Sequence, residues 1–231
     1  MSIALVTGAN RGLGLETARQ LVAAGFDVYT AARDGGKAAR AAEELGARPL
    51  TLDVTDDDSV AAAAALVERE HGHLDVLVNN AAVRSELKPA ADVGAAEALA
   101  VFDTNVIGVI RVMHAFLPLL KQSGRGVVVN VGSGTGSFGR VHDPARVESR
   151  LVEIPYTASK AALAMLTVQY AKAHPGLRIN VVDPGRTATG MNSLPGVQPV
   201  EAGAAPIVRA ARFTPEDPTG GFFDAAGASP W

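Results

Sequence analysis

The stretch Ile3-Ala-Leu-Val-Thr-Gly-Ala-Asn-Arg-Gly-Leu-Gly14 decides the fold class. Its first five residues are apolar or β-branched, as in a buried strand, and a helical pattern begins at Leu13. The glycines between them, Gly8 and Gly12, allow a tight turn and let a phosphate approach free amides at the helix N-terminus. The spacing is neither the simple G-x-G-x-x-G pattern nor the phosphate loop of kinases and ATPases. The stretch therefore predicts a nucleotide-binding strand–turn–helix unit.

The alternation of short apolar runs and helix-length segments continues along the chain. The predicted strands are Ile3–Thr7, Asp27–Ala32, Pro49–Val54, Leu74–Asn79, Gly126–Val131, Leu177–Val182 and a last strand at Gly220–Asp224. The predicted helices are Leu13–Ala24, Gly35–Leu45, Asp57–His71, Gly94–Leu120 and Pro155–Ala173. Repeated strand–helix units with apolar strands favour a parallel sheet that is covered by helices on both faces. We therefore predict one α/β domain over residues 1–231, a doubly wound, Rossmann-like parallel sheet of about seven strands with a ligand crevice at the strand ends.

Two segments interrupt this alternation. Gly132–Ile154 is long and polar between a strand and a helix, so a loop insert is predicted near residues 134–154. Met191–Thr214 is rich in proline and alanine, and a short helical flap over the substrate is predicted near residues 191–214. Long irregular segments of this kind usually carry function or move.

Composition narrows the class of protein. The 231 residues are 48% hydrophobic and 19% charged, which supports a large core, and the net charge of −3 gives no basic excess for binding nucleic acid. The absence of cysteine excludes disulfides and thiolate chemistry, and the five histidines share no spacing that predicts a metal site. No apolar run approaches the roughly 18 to 20 residues that span a bilayer, and the N-terminus shows no signal peptide. We expect a cytoplasmic protein that binds neither membrane nor nucleic acid.

The end of the second predicted strand indicates which dinucleotide binds. A carboxylate at this position selects the ribose 2′-hydroxyl of NAD, whereas arginine accommodates the 2′-phosphate of NADP. Here Arg33 ends the strand, and together with Arg11 and Lys37 it can form a cationic clamp on that phosphate. The three residues can also be ordinary solvated cations, and Asp34 can turn inward and partly offset Arg33. The sequence favours NADP(H).

Tyr156 and Lys160 lie four residues apart and therefore on one face of a predicted helix. A phenol has a pKa near 10, and an adjacent ammonium lowers it by favouring the phenolate. The pair makes Tyr156 a candidate general acid or base. Because tyrosine and lysine are often helix neighbours for structural reasons, the pair gains weight only from the residues around it.

Polar residues follow several predicted strands at the same edge of the sheet. Ser133 follows one strand, Asn79 ends another, and the turn Asp183–Thr189 after a third offers hydroxyls that can hold a carboxamide. Asn105 lies among apolar residues of a long helix, where it is either a satisfied buried amide or a polar group of the site. Open parallel sheets bind their ligands where such residues converge.

In this order the motifs resemble those of the short-chain dehydrogenase/reductase family: T-G-x-x-x-G-x-G, N-N-A, a helical Asn, Ser, Y-x-x-x-K and P-G. The resemblance extends from Ile3 to the last strand. It implies that Tyr156 is the general acid of carbonyl reduction and the base of alcohol oxidation, and that Lys160 binds the nicotinamide ribose and lowers the pKa of the tyrosine. It also implies that Ser133 hydrogen-bonds the reacting oxygen and that Asn105 holds a water of a proton relay through Lys160.

The resemblance also implies where the cofactor lies. Asp53 and Val54 are expected at the adenine, Ala81 along the cofactor, and Asn79 in support of the central sheet. One of two threonines is expected to bond the nicotinamide carboxamide. In full, the expected cofactor-binding residues are Gly8, Asn10, Arg11, Gly12, Leu13, Arg33, Lys37, Asp53, Val54, Asn79, Ala81, Tyr156, Lys160, Pro184, Gly185, Thr187 and Thr189.

Within the family the chain looks most like the NADPH-dependent carbonyl reductases, through Arg33, Asp34 and Lys37 and through the ending from Gly220 to Trp231. We therefore expect an enzyme that reduces a small-molecule ketone or aldehyde with NADPH. A dinucleotide-sensing regulatory protein without turnover is the alternative from another class, although such proteins usually lose the tyrosine or the lysine. A homodimer or homotetramer is expected through the long helix and the tyrosine helix, and a monomer stays open because carbonyl reductases with inserts can be monomeric.

Three departures from the family pattern stand out. Ala82 occupies the glycine position of N-N-A-G, and Gly132 replaces a frequent serine, which leaves Ser137 as a rival to Ser133. The gap from Ser133 to the catalytic tyrosine is 23 positions, longer than is usual in the family, and the extra residues fall in the charged stretch Arg140–Glu153. This insert is expected to shape the pocket or an oligomer surface. A solvated loop without a role in selectivity is the alternative.

Overall fold

Eight strands form one sheet in residues 1–188 and 196–231, the part of the chain that the computed structural model describes. The strands are β1 (Ile3–Thr7), β2 (Asp27–Ala32), β3 (Arg48–Thr51), β4 (Val76–Asn79), β5 (Val127–Val131), β6 (Arg178–Val182), β7 (Phe222–Asp224) and β8 (Gly227–Ala228). Their order is β3-β2-β1-β4-β5-β6-β7-β8, and neighbours are parallel except β7 with β8. The strand order reverses between β1 and β4, which is where such sheets open a ligand crevice. The predicted doubly wound parallel sheet is confirmed, with short β8 added at one edge.

Helices cover both faces of this sheet. They are α1 (Gly12–Ala23), α2 (Gly35–Leu45), α3 (Asp57–His71), α4 (Ala95–Phe102), α5 (Gly108–Gln122), α6 (Phe138–Val141), α7 (Ile154–Ala173) and α8 (Val200–Ala211), and a π-helical turn, Asp103–Ile107, joins α4 to α5. Side chains alternate along each strand, so that Leu5 of β1 packs with α3, α5 and α7, whereas Val6 packs with α1 and α8. Two apolar clusters, one on each face, therefore hold the helices against the sheet.

Helix α8 lies within the segment 191–214, where a short helical flap is predicted, and the position of this segment over a substrate stays a prediction. Its residues Ile207 and Ala210 are buried in the same apolar cluster as Leu21 of α1, so this segment belongs to the core. Apolar residues on one face of a helix need a buried partner, and α1 supplies it. Residues 189–195, which include the start of the predicted flap, lie outside the described part of the chain.

The segment from α4 through α5 is more apolar than the sequence analysis expected. Ala95–Gln122 is long and apolar enough, by length and composition alone, to cross a membrane, which corrects the expectation that the chain has no such run. Val112, Met113 and Phe116 of this segment are completely buried in the core. A long core helix passes the same test, because its apolar residues fill the interior of the protein.

Several elements begin or end one to three residues from the predicted positions, and two differences from the predictions concern the site. β3 ends at Thr51 instead of Val54, because Asp53 leaves the strand and its carboxylate accepts hydrogen bonds from Thr55. The polar insert carries helical turns, α6 and a 3-10 turn at Val147–Arg150, where a loop was predicted. Its local hydrogen bonds therefore give the insert a defined shape.

Candidate active site

Glycines shape the turn between β1 and α1. Gly8 has a φ of +65°, in the left-handed region that favours glycine. A Cβ at Gly14 would lie 2.4 Å from both the Gly8 carbonyl oxygen and Nδ2 of Asn80. Asn80 fills this space, and its Nδ2 donates to the Thr7 carbonyl oxygen at 2.8 Å. A side chain at either glycine would disrupt the turn, which is the kind of cradle that a dinucleotide phosphate requires.

The N-terminus of α1 fits an anionic ligand. Within the described residues, no side chain caps its first turn, and Arg11 occupies the N-cap position. The helix dipole and the first amides, including those of Gly12 and Leu13, are therefore available to stabilise a negative charge. Asn10 lies in the same turn. The residues predicted to bind the phosphates thus lie together, and their arrangement fits the pyrophosphate of a dinucleotide.

The end of β2 presents positive charge beside a carboxylate that already has partners. Arg33 and Lys37 are exposed there. The Asp34 carboxylate accepts a hydrogen bond from the Lys37 amide at 3.0 Å, which caps α2, and it lies 4.0 Å from the Lys37 ammonium. The same hydrogen bond, with help from the ammonium, lowers the pKa of Asp34. Asp34 therefore caps a helix and does not turn inward toward Arg33.

Asp53 and Val54 lie in the turn that leads from β3 to α3. The Asp53 carboxylate accepts hydrogen bonds from the amide and the hydroxyl of Thr55, at 2.9 and 2.7 Å, which lower its pKa. Val54 is buried, and its carbonyl oxygen accepts a hydrogen bond from Arg111. The structure places both residues just beyond the carboxyl end of β3. Their contact with adenine stays a prediction.

Hydrogen bonds fix the residues at the end of β4. Nδ2 of Asn79 donates to the Asn130 side chain of β5 at 2.8 Å, and both residues are buried. The Thr7 hydroxyl accepts hydrogen bonds from the backbone amides of Asn80 and Ala81, at 2.9 and 3.0 Å. Asn79 thus supports the centre of the sheet, and Ala81 is held beside the β1–α1 turn.

Asn105 lies in the π-helical turn between α4 and α5 and is 1% exposed. Its Oδ1 accepts from the Val83 amide at 2.8 Å, and its Nδ2 donates to the Val83 carbonyl oxygen and the Ser159 hydroxyl, at 2.9 and 3.0 Å. Protein groups therefore use both hydrogens of the amide. The side chain ties the loop after β4 to α7, and the predicted water relay through Lys160 stays a prediction.

Ser133 follows β5 and lies beside Tyr156, near the start of α7. The Ser133 hydroxyl is 3.0 Å from that of Thr135, and its hydrogen-bonding effect on Tyr156 lowers the pKa of the phenol. The rival Ser137 has other partners, because its hydroxyl donates to the Pro230 carbonyl oxygen at 2.8 Å and caps α6. Ser133 is therefore the serine that faces the tyrosine.

Lys160 lies one helical turn beyond Tyr156 and is 4% exposed. Its Nζ donates to the Val131 carbonyl oxygen at 2.9 Å and lies 5.6 Å from the centre of the Tyr156 ring. Burial first, and then the charge of Arg84, lowers the pKa of Lys160 to about 8, while Asp183 opposes the shift. The structure brings the predicted pair together at the end of β5.

The pKa of Tyr156 moves in the direction opposite to the expected one. Burial raises it, and this effect exceeds the opposing effects of Arg84 and of the hydrogen bond from Ser133. The charge that lowers this pKa most is that of Arg84, while the Lys160 ammonium is turned to a backbone carbonyl. The pKa of this phenol is therefore raised overall, contrary to the expectation of a more acidic group, because the effect of burial exceeds that of the nearby positive charges.

The turn after β6 is fixed by its own hydrogen bonds. Gly185 has a φ of +72°, and its amide donates to the Asp183 carboxylate at 3.0 Å. The hydroxyl of Thr187 is buried and lies 3.2 Å from the carbonyl oxygens of Pro184 and Gly185. The carboxamide contact of Thr187 stays a prediction, and Thr189 lies outside the described residues.

The insert carries a buried arginine, which the sequence analysis identified only as part of a charged stretch. Arg140 is 2% exposed, and its guanidinium binds Asp183 at 2.6 Å and also binds Asp224 of β7. It lies 3.7 Å from the Glu148 carboxylate. The insert is thereby attached to the ends of β6 and β7 and is not purely solvated, while its role in selectivity stays a prediction.

Arg84 and Glu153 are residues of the site that the motifs did not identify. Their side chains form an ion pair, 16% and 7% exposed, and Cζ of Arg84 lies 4.4 Å from the centre of the Tyr156 ring. Neither residue belongs to a family motif. The only signal in the sequence is their opposite charge, one just after N-N-A and the other just before Y-x-x-x-K.

Comparison with known proteins relates this geometry to a family. A sequence model described as short chain dehydrogenase matches residues 2–195. The chain is 38% identical over 222 residues to a short-chain dehydrogenase of Penicillium roqueforti, covering 90% of this chain and 88% of that one. It is 32% identical over 280 aligned positions to (+)-neomenthol dehydrogenase of Arabidopsis thaliana, covering 95% of each. The crystal structure of an NADPH-bound carbonyl reductase from chicken fatty liver matches the whole of both chains, with a TM-score of 0.85 and 26% identity.

These matches agree with the order of the motifs and with the meeting of Ser133, Tyr156 and Lys160 at one edge of the sheet. The family model alone covers far more than half of the chain. The chain belongs to the short-chain dehydrogenase/reductase family of oxidoreductases, whose members use NAD(P)(H).

Proposed function

We propose that this protein is an NADPH-dependent reductase that converts a ketone or aldehyde to an alcohol. The observation that carries the proposal is the position of the Tyr156 hydroxyl beside that of Ser133, with Lys160 one turn along the same helix. A phenol next to a second hydroxyl can protonate an oxygen that both groups bind. Similarity to a neomenthol dehydrogenase and to a carbonyl reductase supports chemistry between carbonyl and alcohol.

When bound, NADPH supplies the hydride that reduces the carbonyl carbon. Ser133 donates a hydrogen bond to the carbonyl oxygen, and Tyr156 transfers its phenolic proton to the same oxygen, so that the product is a neutral alcohol. The raised pKa keeps Tyr156 protonated at neutral pH, as a proton donor must be. Lys160, with a pKa of about 8, carries a positive charge at neutral pH and stabilises the phenolate that remains after the transfer.

The preference for NADPH rests on the charges at the end of β2. Arg33 and Lys37 are exposed there, and the neighbouring Asp34 carboxylate caps α2. Arg11 lies at the start of α1, at the adjacent strand end. The 2′-phosphate of NADPH carries close to two negative charges and is stabilised by such cations, whereas the 2′-hydroxyl of NADH is not.

A panel of ketones and aldehydes, followed by the loss of NADPH absorbance with NADH in parallel, tests the proposal. Apolar and mixed carbonyl compounds belong in the panel, because exposed apolar side chains follow N-N-A and precede Tyr156 in the sequence, namely Leu87, Val152 and Ile154. We expect turnover of at least one compound with NADPH, and a kcat/KM about tenfold or more lower with NADH. No turnover with any carbonyl would overturn the proposed reaction. A kcat/KM as high with NADH would overturn the cofactor preference.

The proposal includes a homodimer or homotetramer in the cytoplasm, acting on a small molecule and not on nucleic acid or membrane. Exposed apolar side chains support a surface between copies, namely Leu99, Ile107 and Met165, which are 70%, 41% and 58% exposed. A groove lined in part by Ile110 of α5 and Tyr170 of α7 lies on the two helices expected to form this surface. Light scattering on the purified protein tests the assembly, with twice or four times the chain mass expected.

A further inference from the structure

We propose that Arg84 is a positioning residue for Tyr156: the carboxylate of Glu153 holds its guanidinium over the phenol ring, where it sets how readily the hydroxyl releases its proton. The inference rests on the proposed function, in which Tyr156 is the proton donor, and it adds a residue that acts through the tyrosine.

The position of the guanidinium gives it this influence. Cζ of Arg84 lies 4.4 Å from the centre of the Tyr156 ring, closer than Nζ of Lys160 at 5.6 Å. A cation over an aromatic face is attracted by the electrons of the ring. The attraction becomes stronger when the ring carries the charge of a phenolate, and it is screened little where water is excluded. Arg84 therefore stabilises the deprotonated tyrosine more than the protonated one.

The ion pair fixes Arg84 to the helix that carries the tyrosine. Glu153 directly precedes α7 and lies three residues before Tyr156, so its carboxylate keeps a constant relation to the phenol. Both charged side chains are largely buried. Val83, the neighbour of Arg84, is held by two hydrogen bonds from Asn105, whose amide also bonds α7 at Ser159. The loop that carries Arg84 is thus attached to α7 through two independent contacts.

Charged and polar groups from four segments face Tyr156, and they act with different signs. Besides burial they are Arg84 after β4, Ser133 after β5, Asp183 after β6, and Glu153 and Lys160 at the start of α7. Arg84 and the hydrogen bond from Ser133 lower the pKa of the phenol, whereas Asp183 and Glu153 raise it. The two partners of the ion pair therefore shift the same pKa in opposite directions.

This opposition allows a test that a merely structural ion pair would not pass. The variants are Arg84→Gln, Arg84→Lys, Glu153→Gln and the double variant with both Gln substitutions. The pKa of Tyr156 is read by NMR from tyrosine labelled with ¹³C at Cζ, in the full-length protein without substrate, and its signal is assigned with Tyr156→Phe. The other two tyrosines serve as internal references.

We expect Arg84→Gln to raise the pKa of Tyr156 by about one pH unit and Glu153→Gln to lower it by a smaller amount. Arg84→Lys keeps the positive charge, so the pKa of Tyr156 in this variant should lie close to the wild-type value. In the double variant the pKa of Tyr156 should lie between the values of the two single Gln variants. The rising limb of kcat/KM against pH for alcohol oxidation with NADP⁺ should shift in the same order. An unchanged Tyr156 titration in Arg84→Gln, or equal shifts of one sign in both single variants, would overturn the proposal.

The two proposals fail in distinguishable ways. If the wild type turns over no carbonyl or alcohol, the proposed function is wrong, while the NMR titration still decides whether Arg84 controls the phenol. If the wild type is active and the Tyr156 signal ignores Arg84, the proposed function stands and the assignment of Arg84 is wrong.

Discussion

The end of β2 and the segment after β5 both place arginine beside carboxylates, and they use these charges differently. Arg33 is exposed at the end of β2, where the neighbouring Asp34 caps a helix. Arg140, after β5, is 2% exposed, and Asp183 and Asp224 neutralise it. The first region leaves cations for a ligand to bind, whereas the second neutralises its own charges inside the protein. The same residue type thus serves binding in one region and stability in the other.

This difference has an energetic basis. An exposed charge is hydrated in the folded and in the unfolded chain, so its removal changes stability little. A buried charge with partners leaves those partners unpaired in a low dielectric when it is removed. Substitutions in the two regions should therefore separate an effect on ligand affinity from an effect on folding.

The largest expected effect on stability is that of Arg140→Met. The substitution leaves Asp183 and Asp224 without their guanidinium, and we expect the free energy of unfolding to fall by about 3 to 5 kcal/mol in urea titrations. Arg146→Met is the matched control, because Arg146 is 39% exposed in its pair with Glu148 and should cost at most about 1 kcal/mol. Equal midpoints for the two variants would show that the buried cluster does not stabilise the insert.

A smaller effect on the free energy of unfolding, which depends on pH, is expected for Lys160→Met. The pKa of Lys160 falls from 10.5 to about 8 on folding, so between these values the unfolded chain holds a proton that the folded chain has released. The contribution of Lys160 to the free energy of unfolding therefore rises with pH between about 8 and 10.5. Below about pH 8 the burial of this group destabilises the folded protein to the full extent. The variant lacks this rise, so its stability relative to the wild type should decrease by about 2 to 3 kcal/mol from pH 7 to pH 10.5.

Urea titrations at several pH values measure this difference, and Lys172→Met is the matched control. Lys172 lies in the last turn of the same helix and is exposed. Its variant should follow the wild type at every pH. If Lys160→Met also follows the wild type, the ammonium is not desolvated in the folded protein.

The smallest effect on stability is expected for a substitution at the exposed end of β2, where the effect is on ligand affinity instead. Arg33→Ala should weaken NADPH binding by about 10- to 100-fold and leave NADH binding nearly unchanged, because only the 2′-phosphate loses a charged partner. Its free energy of unfolding should stay within about 0.5 kcal/mol of the wild type. Calorimetric titration with both dinucleotides measures the effect, with Arg69→Ala, exposed in the last turn of α3, as control. Equal weakening for NADPH and NADH would remove the argument for cofactor preference.

Local patterns were sufficient to predict most of the fold and the polar residues at the strand ends. The β1–α1 turn is specified by its own glycines, of which Gly8 needs a positive φ and Gly14 leaves no room for a Cβ. Tyr156 and Lys160 share a helix face because of their spacing alone. Such features depend on residues that are close in the sequence, and local sequence patterns are therefore enough to predict them.

The features that could not be predicted depend on contacts between distant residues. Arg140 meets Asp183 at a separation of 43 positions, and Arg84 meets Glu153 at a separation of 69. Charge patterning does not encode which of many carboxylates an arginine reaches. The glycine in place of a family serine is explained in the same way, because a Cβ at position 132 would lie 2.4 Å from Cγ1 of Val181.

The error in the pKa of Tyr156 has a related cause. Spacing alone gives the sign of one neighbouring charge, that of Lys160, whereas the pKa is the balance of all charges and of desolvation. Burial is the largest effect here, and the nearest cation over the ring belongs to Arg84, in another segment.

Single-turnover kinetics of Tyr156→Phe measure most directly whether the phenol is the proton donor. The enzyme is loaded with NADPH and mixed with the carbonyl compound that the wild type reduces fastest, and the oxidation of NADPH is followed. We expect the rate to fall by about 100- to 10,000-fold, with an NADPH dissociation constant close to that of the wild type, and Tyr170→Phe to react at the wild-type rate. A Tyr156→Phe variant that reduces the carbonyl as fast as the wild type would show that the proton comes from another group.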